Sequence, residues 1–362
     1  MKEVDCIIVG GGLAGCCLAL ALHQKEKNIL VYAEEANQSS AVAAGLFNPI
    51  TGKMLTKTWQ ADLVFKTLHQ FYADAEKLLQ QKFFYPKPIY RPFLSIEEQN
   101  NWMAQSQEPK LAAFIKKMFL QSTHTQGVKD SFGGILLQQT GFVDTQIFMH
   151  ACKQYFQQQN KWLNEKFKYD ALQLANDSSI QYHTIKAQHI VFCEGTNSLQ
   201  NPYFNWVPIK PLKGETLTIQ TDFQTDFQTD FILNRGVYAV PLKQAHQFKI
   251  GATYDHRIES QSITEEAKRE IQEKWEAIAE LPYQVINQNW GIRPTSPDRK
   301  PIIGLHPQHK TMAILNGLGT KGVSLAPLAA VYLSDKMINQ NDNSIYDAMN
   351  VSRYYSLYWK SL

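Results

Sequence analysis

Cysteine is scarce in this chain and follows no paired spacing. The 362 residues contain five cysteines, none of them in a C-x-x-C arrangement, and the only neighbours are Cys16 and Cys17. An odd number of cysteines without paired spacing excludes a disulfide framework and a zinc knuckle, and it indicates a reducing compartment. The ten histidines are scattered along the sequence, so no metal site is predicted.

A large excess of charge and a long apolar run are also missing. Lys and Arg total 36, Asp and Glu total 33, and the formal net charge of +3 is too small to indicate binding to nucleic acid or to an anionic membrane. Residues 6–22 are uncharged but include four glycines, and the preceding flank mixes Lys2 with Glu3 and Asp5. A signal peptide or membrane span needs a basic flank or a longer apolar run. We therefore expect a soluble cytoplasmic protein with no membrane partner.

The length and the apolar content predict two folded domains. Hydrophobic residues make up 44% of the chain and charged residues 19%, which allows a large core and excludes a mainly disordered chain. The start of the chain predicts a strand, a helix and a strand at 4–9, 13–24 and 28–32, which together form a βαβ unit with parallel strands. A β-rich stretch at 212–252 precedes a return to alternating helices and strands.

These patterns predict an α/β chain, α+β overall, in which a nucleotide-binding domain is interrupted by a second domain built on a sheet. The expected nucleotide-binding domain comprises residues 1–82, 140–210 and 286–362. The expected second domain comprises residues 83–139 and 211–285. Further helices are expected at 61–81, 97–120, 145–159, 263–280 and 323–337.

One segment has low complexity. The sequence Thr-Asp-Phe-Gln begins at Thr221 and again at Thr225, and a third, shorter copy begins at Thr229. A period of four suits neither a strand nor a helix, and three such short copies are too few for a solenoid. We expect a duplicated surface hairpin or loop.

The strongest local signal is the sequence Gly10-Gly-Gly-Leu-Ala-Gly15, which has the G-x-G-x-x-G pattern. Gly10 permits a tight turn after the strand, Gly12 lets a pyrophosphate approach the backbone, and Gly15 lets the helix pack closely on the sheet. The phosphate charge then lies at the positive N-terminus of the helix. The position of the motif between a predicted strand and a predicted helix indicates dinucleotide binding.

An acidic residue that binds ribose is expected about 20 residues after this motif. Glu34 and Glu35 lie 19 and 20 residues after Gly15. Either of them is a candidate, and the alternative that both are solvated while the backbone holds the ribose stays open.

The remaining motifs follow one another almost from end to end of the chain. They lie at residues 39–47 (SSAVAAGLF), 141–144 (GFVD), 190–195 (IVFCEG), 211–217 (PLKGETL), 238–241 (YAVP), 250–253 (IGAT), 291–304 (GIRPTSPDRKPIIG) and 317–327 (GLGTKGVSLAP). Their order and spacing resemble the D-amino-acid oxidase superfamily, specifically its glycine oxidase and sarcosine oxidase branch. Parts of the sequence also resemble the oxidase half of the bifunctional tRNA wobble-uridine modification enzyme.

The resemblance implies a Rossmann-like FAD-binding domain and a substrate domain built on a mixed β-sheet. It also implies oxidation of an amine carbon–nitrogen bond to an imine, by hydride transfer to flavin N5, with oxygen as the usual reoxidant. No cysteine lies in residues 291–327, where the monomeric sarcosine oxidases attach their flavin, so the FAD is expected to be noncovalent. The cofactor-binding residues that the motifs and the resemblance imply are Gly10, Gly12, Leu13, Ala14, Gly15, Glu34, Glu35, Ser40, Ala44, Gly45, Leu46, Phe167, Cys193, Gly195, Arg293, Gly319, Thr320, Lys321, Gly322 and Val323.

Three residues are candidates for the chemistry. The guanidinium of Arg293 suits a carboxylate because it can donate to both oxygens in a fixed fork, and the resemblance places a carboxylate-binding arginine there. Tyr238 is expected to donate its hydroxyl to the same carboxylate or to form a wall of the site. Lys321, near the pyrimidine edge of the flavin in the related enzymes, is expected to stabilise negative charge on the reduced flavin or to point into solvent. The alternative for Arg293 is a structural ion pair with Asp298 or Glu215.

The leading hypothesis is therefore an FAD-dependent oxidase of a small amino acid or an N-methyl amino acid. In its most specific form, the substrate is glycine or sarcosine. The alternatives are oxidative removal of a carboxymethyl group from a modified tRNA uridine, and a non-catalytic flavoprotein. The near-neutral charge argues against tRNA as a partner, and only the oxidase half of the tRNA enzyme has a counterpart here.

Overall fold

The computed structural model describes residues 1–34, 39–51, 56–175, 179–221, 230–256, 258, 260–339 and 344–358. Within them the strands are β1 (Lys2–Val9), β2 (Ile29–Tyr32), β3 (Leu46–Phe47), β4 (Ile50–Thr51), β5 (Thr56–Lys57), β6 (Phe84–Pro86), β7 (Ile89–Pro92), β8 (Ile115–Phe119), β9 (Gly134–Leu137), β10 (Gly141–Val143), β11 (Trp162–Leu163), β12 (Leu172–Leu174), β13 (Ile180–Tyr182), β14 (Ile185–Phe192), β15 (Lys210–Thr221), β16 (Ile232–Arg235), β17 (Val237–Pro241), β18 (Gln247–Gly251), β19 (Tyr283–Thr295), β20 (Ile302–Leu305) and β21 (Met312–Asn316). The helices are α1 (Leu13–His23), α2 (Ser39–Val42), α3 (Ala61–Leu79), α4 (Ile96–Ser106), α5 (Pro109–Ala112), α6 (Thr145–Gln158), α7 (Glu265–Glu276), α8 (Gly322–Asn339), α9 (Ser344–Met349) and α10 (Tyr355–Tyr358). Short 3₁₀ turns span Tyr169–Ala171, Gly195–Gln200, Gly319–Lys321 and Val351–Tyr354.

The first large sheet has the order β11-β2-β1-β14-β13-β12, with β21 beside β14 and β20 beside β21. The long strand β14 pairs with β13 along its first half and with β21 along its second half. Strands β11, β2, β1, β14 and β21 are parallel. Their carboxyl ends therefore meet at one edge, which is where nucleotides bind in open α/β sheets.

Both faces of this sheet are covered, as a parallel sheet requires. In β1, Cys6 and Ile8 pack into a core cluster with helices α1, α3, α6 and α8. Ile7 and Val9 point the other way, into a second cluster that includes aromatic residues such as Tyr182. The uncharged residues 6–22 are thus a buried strand, a loop and a buried helix, and no helix within the described residues is long and apolar enough to cross a membrane.

The second large sheet has the order β19-β15-β18-β17-β16-β7-β9-β8 and is mixed, because β7 and β16 run parallel while the other pairs are antiparallel. Helix α7 covers one face through Ile271 and Trp275, which pack with strand residues such as Leu217 and Ile250. The mixed sheet agrees with the predicted fold class, which the related structures described below also support.

The predicted domain division is compatible with these two sheets, and its exact boundaries stay a prediction. Strand β19 pairs with β15 from Tyr283 to Thr295, so the boundary predicted at 285/286 falls inside a strand of the second sheet. The boundary predicted at 210/211 falls one residue inside β15. Strand pairing thus continues across both positions where the sequence pattern changes.

The helix predicted at 97–120 is wrong in its second half. Helix α4 ends at Ser106, the short helix α5 starts at Pro109, and β8 follows as the edge strand of the second sheet. Pro109 lacks the N–H that a continuous helix needs, and pairing with β9 then draws 115–119 into the sheet. The predicted loop with Thr-Asp-Phe-Gln repeats lies, from 222 to 229, outside the described residues.

The motif Gly141–Asp144 ends in a helix cap. The Asp144 carboxylate accepts a hydrogen bond of 3.0 Å from the backbone N–H of Ile147 at the start of α6. We expect Asp144→Ala to lower the free energy of unfolding by about 1 kcal/mol because it leaves this N–H without a partner. Asp144→Asn should lower it much less, because asparagine caps a helix equally well. Urea unfolding of the FAD-loaded variants tests this, and equal losses in both would show that the charge matters rather than the cap.

Candidate active site

The glycine motif forms a close approach between two strand ends. Gly10 follows β1 with a φ of +109°, and a Cβ added there would clash with the carbonyl group of Cys193, which follows β14. A Cβ at Gly15 would clash with the carbonyl oxygen of Gly10. Both clashes are with backbone, which cannot move aside, so only glycine allows this junction of strand, loop and helix.

The N-terminus of α1 is left open for an anion. Its N-cap residue, Gly12, has no side chain to cap the helix. The backbone N–H of Leu13 lies 3.4 Å from the Ser40 hydroxyl oxygen, so the predicted residue Ser40 is at this helix end. Ala14, in the first turn, packs partly buried against the core. Uncapped N–H groups and the helix dipole make this end suited to a pyrophosphate.

A loop that carries Ser40, Ala44 and Gly45 is held over this helix end by α6. The hydroxyl of Thr145 donates to the Ser40 carbonyl oxygen at 2.6 Å. Gly45 has a φ of +69°, and a Cβ there would clash with the Val143 carbonyl oxygen. Leu46 begins strand β3, which pairs with β10, and Ala44 is buried. The small residues of this loop thus let it lie close to the helix end.

The predicted residues of the strand ends lie at the same edge. Cys193 is buried, and burial raises the pKa of its thiol well above the usual range, so the thiol stays protonated. The carbonyl oxygen of Gly195 accepts a bond of 2.8 Å from the side-chain amide of Asn316, at the end of β21. Glu34 lies exposed beyond the end of β2. This is where a ribose-binding acid belongs, whereas Glu35 lies outside the described residues.

Phe167 occupies a different environment from the glycine loop. Its ring stacks on Tyr182 with a centroid distance of 4.3 Å and meets Tyr32 edge-on at 5.9 Å. The ring therefore belongs to the aromatic core behind the first sheet, and a contact of Phe167 with the cofactor stays a prediction.

The segment 319–323 closes the other side of this region. Gly319 has a φ of +53°, and a Cβ there would be 3.4 Å from the Thr295 hydroxyl, which is buried without a hydrogen-bond partner. Gly322 starts α8, and a Cβ added to it would be 3.2 Å from the Leu13 side chain. The N-terminus of α8 therefore lies beside that of α1. Within this segment Thr320 is exposed and Val323 is buried.

Lys321 points inward rather than into solvent. Its amine donates to the Thr58 hydroxyl at 3.1 Å. Burial, followed by the nearby charge of Arg299, lowers the pKa of the lysine. The amine is thus a partly desolvated cation next to the start of α8.

Arg293 lies on the second sheet without a carboxylate partner among the described residues. Its guanidinium covers Gly214, where any Cβ would clash with it. Nη1 donates to the carbonyl oxygens of Thr253 at 3.2 Å and Lys213 at 3.4 Å. The alternative ion pairs are not formed, because Glu215 binds Lys213 at 3.0 Å and Asp298 binds Arg353 at 2.9 Å. The guanidinium therefore keeps donors for an anionic ligand.

Tyr238 lies two strands away from Gly214 on the same face. It is paired with Gly251, and a Cβ at Gly251 would be 3.1 Å from the Tyr238 hydroxyl and 3.0 Å from the Thr216 methyl group. Burial raises the pKa of Tyr238 above its usual range, although the charge of Arg293 opposes the shift. The phenol is therefore neutral and can donate a hydrogen bond.

Three neighbours of this site did not emerge from the sequence. The guanidinium of Arg293 lies 5.1 Å from the ring centroid of Tyr254, which is exposed. The hydroxyl of Thr216 is buried and has no hydrogen-bond partner among the residues that the structure describes. Lys249 reaches the Val42 carbonyl oxygen at 3.3 Å, and burial lowers its pKa. Tyr254 and Lys249 flank the motif at 250–253, which was the one signal that pointed to them.

The residues present fit FAD. The glycine junction leaves room for a pyrophosphate against backbone, and the N-terminus of α1, which has no side-chain cap, supplies N–H donors to anionic groups. The face that carries Arg293 and Tyr238 supplies donors for a carboxylate. The arrangement thus combines a dinucleotide site with an anion site on the neighbouring sheet.

Comparisons with known proteins agree with this geometry. A family model described as FAD dependent oxidoreductase (DAO) matches residues 5–336. The glycine oxidase of Geobacillus kaustophilus has a similar structure, with a TM-score of 0.80, 16% identity, and coverage of 98% of this chain and 99% of that chain. For the glycine oxidase of Bacillus cereus the values are 0.76, 19%, 96% and 98%.

Curated relatives resemble the sequence at low identity. The tRNA 5-methylaminomethyl-2-thiouridine biosynthesis bifunctional protein MnmC of Idiomarina loihiensis is 23% identical, over 97% of this chain and 59% of its own length. The bifunctional protein ThiO/ThiG of Nostoc is 23% identical, over 96% of this chain and 55% of its own length. The chain spans a little over half the length of these relatives.

The backbone clash at Gly15 generates a test of the cofactor site. We expect Gly15→Ala to yield folded protein without yellow cofactor, because the added methyl group forces α1 away from Gly10. The measurements are the flavin absorbance per protein and the far-ultraviolet circular dichroism. Gly236→Asn is the control, since that glycine is exposed with open space around it and asparagine tolerates its φ of +80°. Full FAD occupancy in Gly15→Ala would contradict this assignment.

Proposed function

The chain belongs to the DAO family of FAD dependent oxidoreductases, and on this premise we propose that it oxidises the carbon–nitrogen bond of a small carboxymethylamine such as glycine or sarcosine. FAD, when bound, accepts the hydride from the substrate carbon and so supplies the redox chemistry. The product is an imine, which water hydrolyses. We propose oxygen as the acceptor that reoxidises the flavin.

The observation that supports this proposal most is that the Arg293 guanidinium has no carboxylate partner among the described residues and keeps N–H donors for one. A partly buried guanidinium that meets only carbonyl oxygens and a tyrosine ring among the described residues is a cation without a counter-charge. Such a group binds a carboxylate through charge-assisted, bidentate hydrogen bonds. Glycine, sarcosine and other N-carboxymethyl amines all present a carboxylate one carbon away from the amine nitrogen.

The other residues of the face would orient this substrate. Tyr238 can donate its hydroxyl to the carboxylate, and the unpartnered Thr216 hydroxyl can accept from the amine or donate to the carboxylate. A neutral amine gives up hydride without a general acid, so no acid–base pair is needed beside it. The absence of a side chain at Gly214 lets the Arg293 guanidinium lie against the sheet, and the absence of one at Gly251 lets Thr216 and Tyr238 approach each other.

The positive end of α8 and the amine of Lys321 would stabilise negative charge on the reduced cofactor. Lys321 is partly desolvated, which strengthens its electrostatic effect. We propose that FAD is held noncovalently, because Cys193, the cysteine at the glycine junction, has a buried, protonated thiol.

A second candidate function has a specific support. The similarity to the MnmC protein extends over 97% of this chain, and removal of a carboxymethyl group from a modified uridine breaks the same type of bond. The group bound at Arg293 would be a carboxymethylamine in both proposed functions. The two functions therefore differ in what lies on the far side of the amine.

The substrate class is tested by mixing the FAD-loaded protein, without oxygen, with glycine, sarcosine, proline and D-amino acids. We expect glycine or sarcosine to bleach the flavin absorbance, and admission of air to restore it. Restoration only by an artificial acceptor would exclude oxygen as the reoxidant. If no small amine bleaches the flavin, the small-molecule proposal is wrong and a larger carboxymethylamine becomes the leading substrate.

Arg293→Met should lower kcat/KM for the substrate that bleaches the flavin by at least about 100-fold, or about 3 kcal/mol, because a charge-assisted fork is lost. Arg293→Lys should give a smaller loss, since it keeps the charge but not the fork. Arg269→Gln on α7, an exposed position, is the matched control. Unchanged kcat/KM in Arg293→Met would exclude Arg293 from substrate binding.

The flavin linkage has its own test. Precipitation of the protein with acid should leave all yellow colour in the supernatant, because a noncovalent cofactor leaves the unfolded chain. Colour retained in the pellet after washing would show a covalent bond.

A further inference from the structure

A row of polar residues crosses the second sheet on the face that carries the site. Thr216 of β15 pairs with Gly251 of β18, Gly251 pairs with Tyr238 of β17, and Tyr238 pairs with Asn234 of β16. Because β16 and β7 are parallel, with Leu233 opposite Tyr90, the next position places Asn234 beside Arg91. Directly paired residues share a face of a sheet, so the row runs from Thr216 to Arg91 across five strands.

The polar groups of this row keep hydrogen-bonding capacity that the described residues do not satisfy. The Thr216 hydroxyl is buried without a partner, and neither the Tyr238 hydroxyl nor the Asn234 amide has a hydrogen bond with the described part of the chain. The opposite face, by contrast, is packed with apolar side chains such as Leu217, Ile250 and Leu233. Of these groups the Thr216 hydroxyl is buried, and a buried polar group without a partner is rare in proteins. Tyr238 and Asn234 are half-buried, so their polar groups are available to a ligand.

The row ends at Arg91. Arg235 is the last residue of β16 and pairs with Val237 of the apolar face, and the two guanidinium groups meet at the strand ends, on Glu98. Arg91 and Arg235 both bind one carboxylate, that of Glu98, at 3.3 Å and 3.0 Å. Glu98 also accepts from the backbone N–H of Leu94 at 3.0 Å, so its oxygens are fully engaged. The Nε atoms of both arginines are buried without a hydrogen-bond partner in the described part of the chain. Two guanidinium groups thus share a single carboxylate.

This excess charge is partly desolvated but still accessible. The side chains of Arg91 and Arg235 keep 13% and 17% of their surface exposed. Burial, followed by the charge of Arg235, lowers the pKa of Arg91. Charges removed from water are normally paired, and among the residues that the structure describes these two arginines share one carboxylate.

We propose that Arg91 and Arg235 form a second anion subsite, so that the substrate carries a carboxylate or phosphate far from the carboxymethylamine held at Arg293. This inference rests on the proposed function, because it assumes that Arg293 holds the reacting end. From β15 to β7 there are four strand spacings, or about 19 Å at about 4.8 Å each. Glycine and sarcosine are too short to reach both arginine sites.

The polar row explains how a longer substrate would lie. Its carboxymethylamine end rests over Gly214, its middle passes Tyr238 and Asn234, and its anionic tail reaches the Arg91–Arg235 cluster. The chemistry of the tail is that of a small oxyanion, since paired arginines bind carboxylate and phosphate through the same fork.

A set of N-carboxymethyl-ω-aminoalkyl compounds of increasing chain length tests this. The tail ends in a carboxylate, a phosphate or, as the uncharged control, a primary amide. The dissociation constant is taken from the concentration dependence of anaerobic flavin reduction, or from the change in flavin absorbance where no reduction occurs. We expect an optimum chain length at which either charged tail binds at least about tenfold more tightly than the amide.

Two variants with opposite expectations localise the effect. Arg235→Gln should bring the dissociation constants of the charged and amide tails to within about twofold of each other. Glu98→Gln should make the charged tails bind more tightly, because it removes the competing carboxylate. The controls are Arg269→Gln and Glu97→Gln, which change the same charges at exposed positions. A purely structural Arg91–Glu98–Arg235 cluster would not give tighter binding in Glu98→Gln.

The outcomes separate the two proposals. If glycine or sarcosine bleaches the flavin but tail charge has no effect at any length, the second subsite is wrong and the proposed function stands. If tail charge matters equally in wild type and Arg235→Gln, the anion is bound elsewhere and the inference is also wrong. If no carboxymethylamine perturbs or reduces the flavin, the proposed function itself fails. Tighter binding of phosphate than of carboxylate tails would identify a phosphorylated substrate.

Discussion

The pairing of β19 with β15 is the constraint on which the rest of the site depends. Along this ladder Arg293 lies opposite Leu212 and its side chain covers Gly214. Further along β19, Gly291 approaches Ser39 closely enough that a Cβ would be 3.1 Å from its Cα atom. Thr295, at the end of β19, forms a bridge with Leu318 just before α8. One strand therefore fixes Arg293, the proposed carboxylate-binding residue, relative to both loops of the candidate cofactor site.

The electrostatics of the molecule divide its buried charges into two groups. Lys213 and Glu215 compensate each other at 3.0 Å, and Glu215 also accepts from Thr264 and Gln288. Lys213 and Glu215 flank Gly214 on β15, and successive residues of a strand face opposite sides of the sheet. Arg293 covers Gly214, so the ion pair lies on the opposite face from Arg293. Arg293, on the ligand-facing side, has no carboxylate partner within the described residues, and Arg91 and Arg235 share the single carboxylate of Glu98. Local charges, rather than the net charge of +3, thus determine what the site can bind.

The glycine junction of the candidate cofactor site could be predicted, because it depends on short-range rules. Gly10, Gly12 and Gly15 lie within six residues, and the reason for each glycine is a local turn or a close backbone contact. The sequence identified only some of the residues on the proposed substrate face. Arg293 and Tyr238 were identified by resemblance, whereas Thr216 and Asn234 have nothing unusual in their local sequence. They become notable only because the order in which strands β15 to β18 pair places them in one row, where neither side chain has a hydrogen-bond partner within the described residues.

The sequence by itself determined the βαβ unit, the nucleotide-binding loop and the family. Strand and helix periodicity, glycine spacing and motif order are properties of contiguous residues, and they do not require knowledge of long-range contacts. Tertiary structure alone decided that 115–119 is an edge strand, that Lys321 turns inward to Thr58, and that two arginines from β7 and β16 share one glutamate from α4. These features depend on which distant segments pair and on how much water each charge loses, and neither quantity is encoded in a local pattern.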